Sequence, residues 1–131
     1  MANPNIVQPV STTKAPGAVG PYSQGVKASN FVFCSGQIAL EPETAVLAKG
    51  GIGEQTHQIL KNIRAVLEAA GSGLAHVVKT TVFLTNMSDF EAMNKVYGEY
   101  FKGTLPARST VQVVALPKGA PIEIEAVASI P

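Results

Sequence analysis

A chain of 131 residues is long enough for one domain with a genuine core and leaves little room for a second. Its formal net charge is +1, and no run of like charges supplies the basic face or stripe expected of a nucleic-acid binder. No apolar stretch approaches the length of a membrane-spanning helix, and the single cysteine, Cys34, excludes an intramolecular disulfide and fits a reducing compartment.

The hydrophobic fraction is 46% and the charged fraction only 15%, which suggests that copies of the chain cover part of its surface. Met1 to Gln8 lacks the basic start and apolar block of a secretory signal and is poor in Arg and Lys. A soluble protein of the cytoplasm is therefore expected, with the mitochondrial matrix as the alternative if a presequence has been removed.

In chain order, residues 1–21 are rich in Pro, Ser, Thr and Gly and read as an extended lead-in. Its run Gly17-Ala18-Val19-Gly20-Pro21-Tyr22 is either a plain surface loop or one that presents Tyr22 to a cleft. A strand pair is predicted near Gln24–Lys27 and Phe31–Ser35 around the turn Ala28-Ser29-Asn30, closed by Gly36 or continued by Gln37–Leu40. Residues 41–53, with Pro42, Gly50, Gly51 and Gly53, read as a long connection. Ile59, Leu60, Ile63, Val66, Leu67 and Ala70 recur at helical spacing, and Gly71-Ser72-Gly73 supplies a stop.

Val77–Leu84 is rich in β-branched residues and reads as a strand covered on two faces. Ser88 and Glu91 form a capping-box pattern for a second helix, with a buried stripe of Phe90, Met93, Tyr97, Tyr100 and Phe101 and an end at Gly103. Strands near Ser109–Ala115 and Ile122–Ile130 follow. Two helices cover one face of such a sheet and leave the other to find cover, so an oligomer is expected.

Few side chains offer chemistry. His57 and His76 lie far apart without Cys or carboxylate at ligand spacing, so no metal site is expected. Cys34 sits in the apolar run Phe31-Val32-Phe33-Cys34 with no adjacent base, and reads as a core residue. Gly50-Gly51-Ile52-Gly53 lacks the lysine and spacing of a phosphate-binding loop.

Arg108 differs, because Leu105-Pro106-Ala107 stiffens the chain and delivers it near a strand start, where a guanidinium can grip a carboxylate. Spacing alone slightly favours a surface ion pair with a glutamate. In Ile122-Glu123-Ile124-Glu125-Ala126, the apolar residues share one strand face and Glu123 and Glu125 the other. Those carboxylates are either solvated or part of a cleft completed by a neighbouring subunit, where one could orient water or move a proton.

Pro106-Ala107-Arg108-Ser109-Thr110-Val111-Gln112-Val113, with Leu116-Pro117-Lys118-Gly119 and Ile122-Glu123-Ile124-Glu125-Ala126, closely resembles the signature of the Rid family. These are the reactive intermediate deaminases, or YjgF/RidA group. Gly20-Pro21-Tyr22-Ser23-Gln24, Ser35-Gly36-Gln37-Ile38 and Lys79-Thr80-Thr81-Val82-Phe83-Leu84 resemble its other blocks, so the likeness spans nearly the whole chain.

The resemblance implies one Rid-type domain over residues 1–131, α+β and chorismate-mutase-like, with a mixed sheet, two helices on one face and a homotrimer with intersubunit clefts. It also implies hydrolysis of enamines and imines released by pyridoxal-phosphate enzymes, namely 2-iminobutanoate and 2-iminopropanoate, to 2-keto acids and ammonia without a cofactor. On that reading Arg108 binds the substrate carboxylate and Glu123 acts on the attacking water or departing nitrogen. Tyr22, Ser35 and Gly36 shape the pocket, Asn94 contacts substrate, and Glu125 has a structural or interface role.

Thr110 stands where several members carry cysteine, and its hydroxyl can donate and accept in holding water. Other functions credited to the family, as translation inhibitor, ribonuclease or chaperone-like trimer, form the competing reading. A purely structural trimer is a further one.

Overall fold

The computed structural model describes residues 6–131. Among them, six strands form one mixed sheet, and two α-helices pack on one of its faces. The expected α+β architecture is the one observed. In chain order the elements are β1 (Gln8–Val10), β2 (Gly25–Ala28), β3 (Phe31–Gln37), α1 (Ile52–Ala69), β4 (Val77–Leu84), α2 (Phe90–Tyr100), β5 (Ala107–Gln112) and β6 (Ile122–Ser129).

The strands lie in the order β1-β2-β3-β6-β4-β5. All neighbours are antiparallel except β4 and β5, which run parallel because α2 carries the chain back between them. The last strand, β6, slots between β3 and β4, so residues far apart in sequence become neighbours at the centre.

Period-2 alternation decides what each face of the sheet does. Ile122, Ile124, Ala126 and Ala128 of β6 are buried, as are Val82 and Leu84 of β4 and Val32 of β3. They meet Ile59, Leu60, Ile63, Val66 and Leu67 of α1 and Met93 and Tyr97 of α2 in one core. The opposite face has no helix over it and leaves Phe31 and Phe33 41% and 48% exposed, more apolar surface than a solvated sheet face normally carries.

Cys34 is buried in the core as expected, and burial first, then the nearby Glu125 charge, push its thiol up to about 12. It stays protonated and unreactive at physiological pH.

Four sequence expectations need correction. The lead-in contains β1, a three-residue edge strand paired with β2, in which Pro9 is tolerated because edge strands have spare N–H positions. Helix α1 begins at Ile52, so Gly53 belongs to its first turn rather than to the connection. At its far end the expected stop is realised as a Schellman cap. Gly71 takes φ 85°, while the Ser72 and Gly71 amides bond to the Leu67 and Glu68 carbonyls.

The Ser88/Glu91 capping box does not form. Asn86 begins a 3-10 turn instead, its Oδ1 accepting the Ser88 amide at 3.0 Å, and no side chain caps α2 itself. Finally, β5 starts at Ala107 and ends at Gln112, earlier than predicted at both ends, so Arg108 lies inside the ladder opposite Thr80.

Candidate functional site

Strand β5 is the sheet edge, and Arg108 projects from it on the helix side. The Asn94 side-chain oxygen accepts from Arg108 Nη1 at 2.7 Å. The guanidinium carbon stands 4.7 Å from the ring centre of Tyr97 and 5.4 Å from that of Phe90. Phe90 and Tyr100, expected in the buried stripe, are only partly buried, because Phe90 flanks the arginine and Tyr100 bonds to His57.

Among the described residues no carboxylate pairs with Arg108; the one close contact of a basic side chain with a carboxylate is His57 Nε2 to Glu99 at 3.6 Å. The surface ion pair that spacing favours is therefore not what holds it. An adjoining cavity of about 420 Å³ is lined by Asn94, Tyr97, Phe101, Leu105 and Arg108.

Two residues further along the same strand face, Thr110 pairs in register with the buried Val82. Its hydroxyl oxygen is buried and has no hydrogen-bond partner among the described residues. An unsatisfied buried hydroxyl costs about 1–3 kcal/mol, so such an atom calls for a water or ligand partner.

Glu123 belongs to the other face. It alternates with Ile122 and Ile124 and, with Tyr22, Gly36, Ile38 and Lys118, lines a cavity of about 100 Å³. The floor is a β-bulge: Cys34 pairs with Ala126 and Gln37 with Ile124, so Ser35 and Gly36 together oppose Glu125. Bulges commonly re-aim chain beside functional sites, and here the bulge brings backbone against the Glu123 carboxylate.

A β-carbon at Gly36 would lie 2.9 Å from the carboxyl carbon of Glu123, so only glycine leaves that carboxylate in place. Burial, then the Glu125 charge, raise the Glu123 pKa above the ordinary carboxylate value. Gly36→Ala should therefore swing the Glu123 carboxylate out of the cavity while the fold survives, seen as a shifted Glu123 carboxyl resonance beside an unchanged circular-dichroism spectrum.

Of the remaining expected residues, Tyr22 lines the same cavity, while Ser35 lies beside Gly36 in the bulge without lining it. The Ser35 hydroxyl donates to the Ser23 carbonyl at 2.6 Å, and the Tyr22 hydroxyl accepts the Val19 amide at 3.4 Å. Sequence reasoning missed Gln24. Its buried side chain accepts the Thr12 amide at 2.7 Å and donates to the Pro16 carbonyl at 2.7 Å, pinning the lead-in beside the cavity. It also missed Lys118, a cavity-lining residue held at φ 58° in the turn before β6. The only signal for either was membership of the quoted blocks.

Within one chain the structure does not bring the expected residues together. Arg108, Asn94 and Thr110 lie on the helix side at the sheet edge, whereas Tyr22, Ser35, Gly36 and Glu123 lie around the open face. They form two separate groups on opposite faces of one sheet. Among the described residues no group of His, Cys, Asp or Glu is placed to hold a metal ion, and no helix is long and apolar enough to cross a membrane.

Residues 12–130 match the family described as Endoribonuclease L-PSP, and the chain belongs to that family, the YjgF/Rid group. It is 51% identical over 119 residues to the 2-iminobutanoate/2-iminopropanoate deaminase of Homo sapiens, covering 91% of this chain and 87% of that one. Reactive Intermediate Deaminase A, chloroplastic, of Arabidopsis thaliana is 50% identical over 121 residues, or 92% of this chain and 65% of that longer one. The crystal structure of E. coli TdcF with bound serine superposes with a TM-score of 0.89 at 42% identity, covering 93% of this chain and 98% of that one.

Proposed function

We propose that this chain is a 2-imino acid deaminase that hydrolyses 2-iminobutanoate and 2-iminopropanoate to the 2-keto acids and ammonia, acting in the cytoplasm as a homotrimer. The observation that carries this reading is Arg108, steadied by Asn94 and two aromatic rings and facing no carboxylate among the described residues. The substrate class supplies that carboxylate. Relatives named for this activity and a related structure holding an amino acid support it.

Arg108 grips the substrate carboxylate and so fixes the imine carbon. Asn94, its oxygen committed to Arg108, acts through the arginine. Water is oriented by Glu123 and by the free Thr110 hydroxyl and attacks the carbon, which gains a C–O bond as the C=N π electrons pass to nitrogen. Glu123 takes a proton from the water and delivers it to that nitrogen. The hydroxyl of the resulting carbinolamine then gives up its own proton, which passes through Glu123 to the amine. The C–N bond breaks with its electrons on nitrogen, ammonia leaves and the C=O of the keto acid forms. The steps need neither a redox partner nor a cofactor.

Since Arg108 and Glu123 occupy opposite faces of one sheet, a site using both lies between copies, Arg108 coming from one and Glu123 from the next. The exposed Phe33 face supplies the apolar surface for such packing. Arg108→Ala and Glu123→Gln chains, each inactive alone, should regain about a quarter of wild-type activity when unfolded and reassembled together, because a cyclic interface then restores intact sites.

The assay follows 2-oxobutanoate and ammonia while threonine dehydratase supplies the imine. No rate above the spontaneous one for wild type would sink the deaminase reading, and no recovery on mixing would sink the shared site. The family's endoribonuclease name keeps an RNA-directed role as the second reading. RNA cleavage that vanishes in Arg108→Ala together with deamination would favour it.

A further inference from the structure

We infer that Tyr97, tied to Thr80, is a positioning residue for Arg108, holding the guanidinium so that its free edge is presented to an anionic ligand. The inference rests on the proposed anchor role of Arg108 and adds what fixes that anchor.

Phe90, Asn94 and Tyr97 share one face of α2, at the spacing that stacks side chains along a helix, and Phe101 follows at its C-cap. Thr80 lies directly opposite Arg108 in the parallel β4–β5 register. Helix and strand thus meet beneath the arginine. The Tyr97 and Thr80 hydroxyls are 2.7 Å apart, and both residues are buried, at 7% and 0% exposure. The Tyr97 ring also packs on Phe101, with centroids 4.5 Å apart.

A core needs no hydroxyls at these positions, since Phe and Val would fill nearly the same volumes. The buried pair instead fixes the ring plane under the guanidinium. Burial raises the Tyr97 pKa, against smaller lowering effects from the Thr80 hydrogen bond and the Arg108 charge, so the ring remains a neutral phenol and attracts Arg108 through its π face rather than as a phenolate.

The arrangement leaves a usable fork. Asn94 takes one hydrogen of Nη1, and no other hydrogen bond or ion pair engages the guanidinium among the described residues. The Nε–Nη2 edge stays free for a bidentate contact. A long arginine otherwise loses rotamer freedom on gripping a ligand, and the ring face removes part of that loss before binding. This is ground-state affinity, so it moves KM and ligand dissociation more than kcat.

The test compares full-length wild type with Tyr97→Leu, Tyr97→Phe and Thr80→Val. For Tyr97→Leu, KM for the imine and Kd for 2-oxobutanoate should both rise about tenfold, the scale of one lost cation–π contact, with kcat within about threefold. Tyr97→Phe keeps the ring and should lie between that variant and wild type, as should Thr80→Val.

The second readout is independent of activity. Arg108 side-chain nitrogen signals, assigned by their loss in Arg108→Lys, should show hindered guanidinium rotation in wild type and averaged signals in Tyr97→Leu. Unchanged Arg108 signals in Tyr97→Leu, or an equal fall in kcat and rise in KM, would overturn the inference. If Tyr97→Leu does not fold, the milder two variants decide: Arg108 signals and Kd identical to wild type in both would overturn it. Wild type without deaminase activity would remove the proposed reaction but leave the nitrogen signals to judge the positioning.

Discussion

Arg108→Ala should reduce kcat/KM for 2-iminobutanoate by roughly 10²–10⁴-fold in a chain that still folds and assembles. The scale follows from two charge-assisted hydrogen bonds at about 1.5–3 kcal/mol each, with each 1.36 kcal/mol worth tenfold. The surroundings of Arg108 give the fold little to lose by its removal. Arg108 sits on an edge strand, packs on Phe90 and Tyr97 only through ring faces, and pairs with no carboxylate among the described residues.

Arg108→Lys separates charge from fork. It keeps a cation near Asn94 but offers a point charge in place of paired donors, so it should recover only part of the loss. Coupled assays with threonine dehydratase, run beside thermal melts, check both variants. An Arg108→Ala enzyme with full activity would remove the carboxylate anchor from the mechanism.

The residues themselves make much of this legible and hide the rest for identifiable reasons. The alternation Ile122-Glu123-Ile124-Glu125 announces one buried and one open face, and the structure has Ile122 and Ile124 in the core. Helix α1 is equally plain from its apolar stripe. By contrast, β1 is three residues long and contains Pro9, below what any period can reveal. The cap of the 3-10 turn came from Asn86 rather than Ser88, since two good capping residues compete within three positions and only geometry chooses.

Arg108 could be singled out by residue type, but its surroundings could not. Asn94 and Tyr97 reach it, with Thr80 bonded to Tyr97, only because β5 pairs parallel to β4 with α2 folded between, an arrangement fixed by topology. The same topology sends Glu123 to the opposite face. Nothing short of strand register could reveal that the two expected site residues lie on opposite faces of one sheet.

Glu123→Gln brings activity and stability into a measurable conflict. As the group that moves protons in the proposed reaction, Glu123 should contribute about 10²–10⁴-fold to kcat, and the glutamine variant should lose that with KM nearly unchanged. Burial, and secondarily Glu125, raise its pKa in the folded chain above the ordinary value. A raised folded pKa means that its stability contribution is fully present below the unfolded pKa and is lost as pH rises through the folded one. Holding this carboxylate ionised at neutral pH therefore costs the fold.

The neutral glutamine escapes that cost, so its melting temperature should exceed wild type at about pH 7 and converge with it in acid, compared at equal protein concentration. Glu125→Gln removes the like charge and lowers the Glu123 pKa, so the acid limb of the kcat/KM profile should move to lower pH. A limb that does not move, or moves upward, would show that Glu123 is not the group that titrates. A glutamine variant both inactive and less stable at neutral pH would make Glu123 a structural residue. The carboxylate that costs the fold stability would then have no catalytic return, and the close approach of Gly36 no purpose.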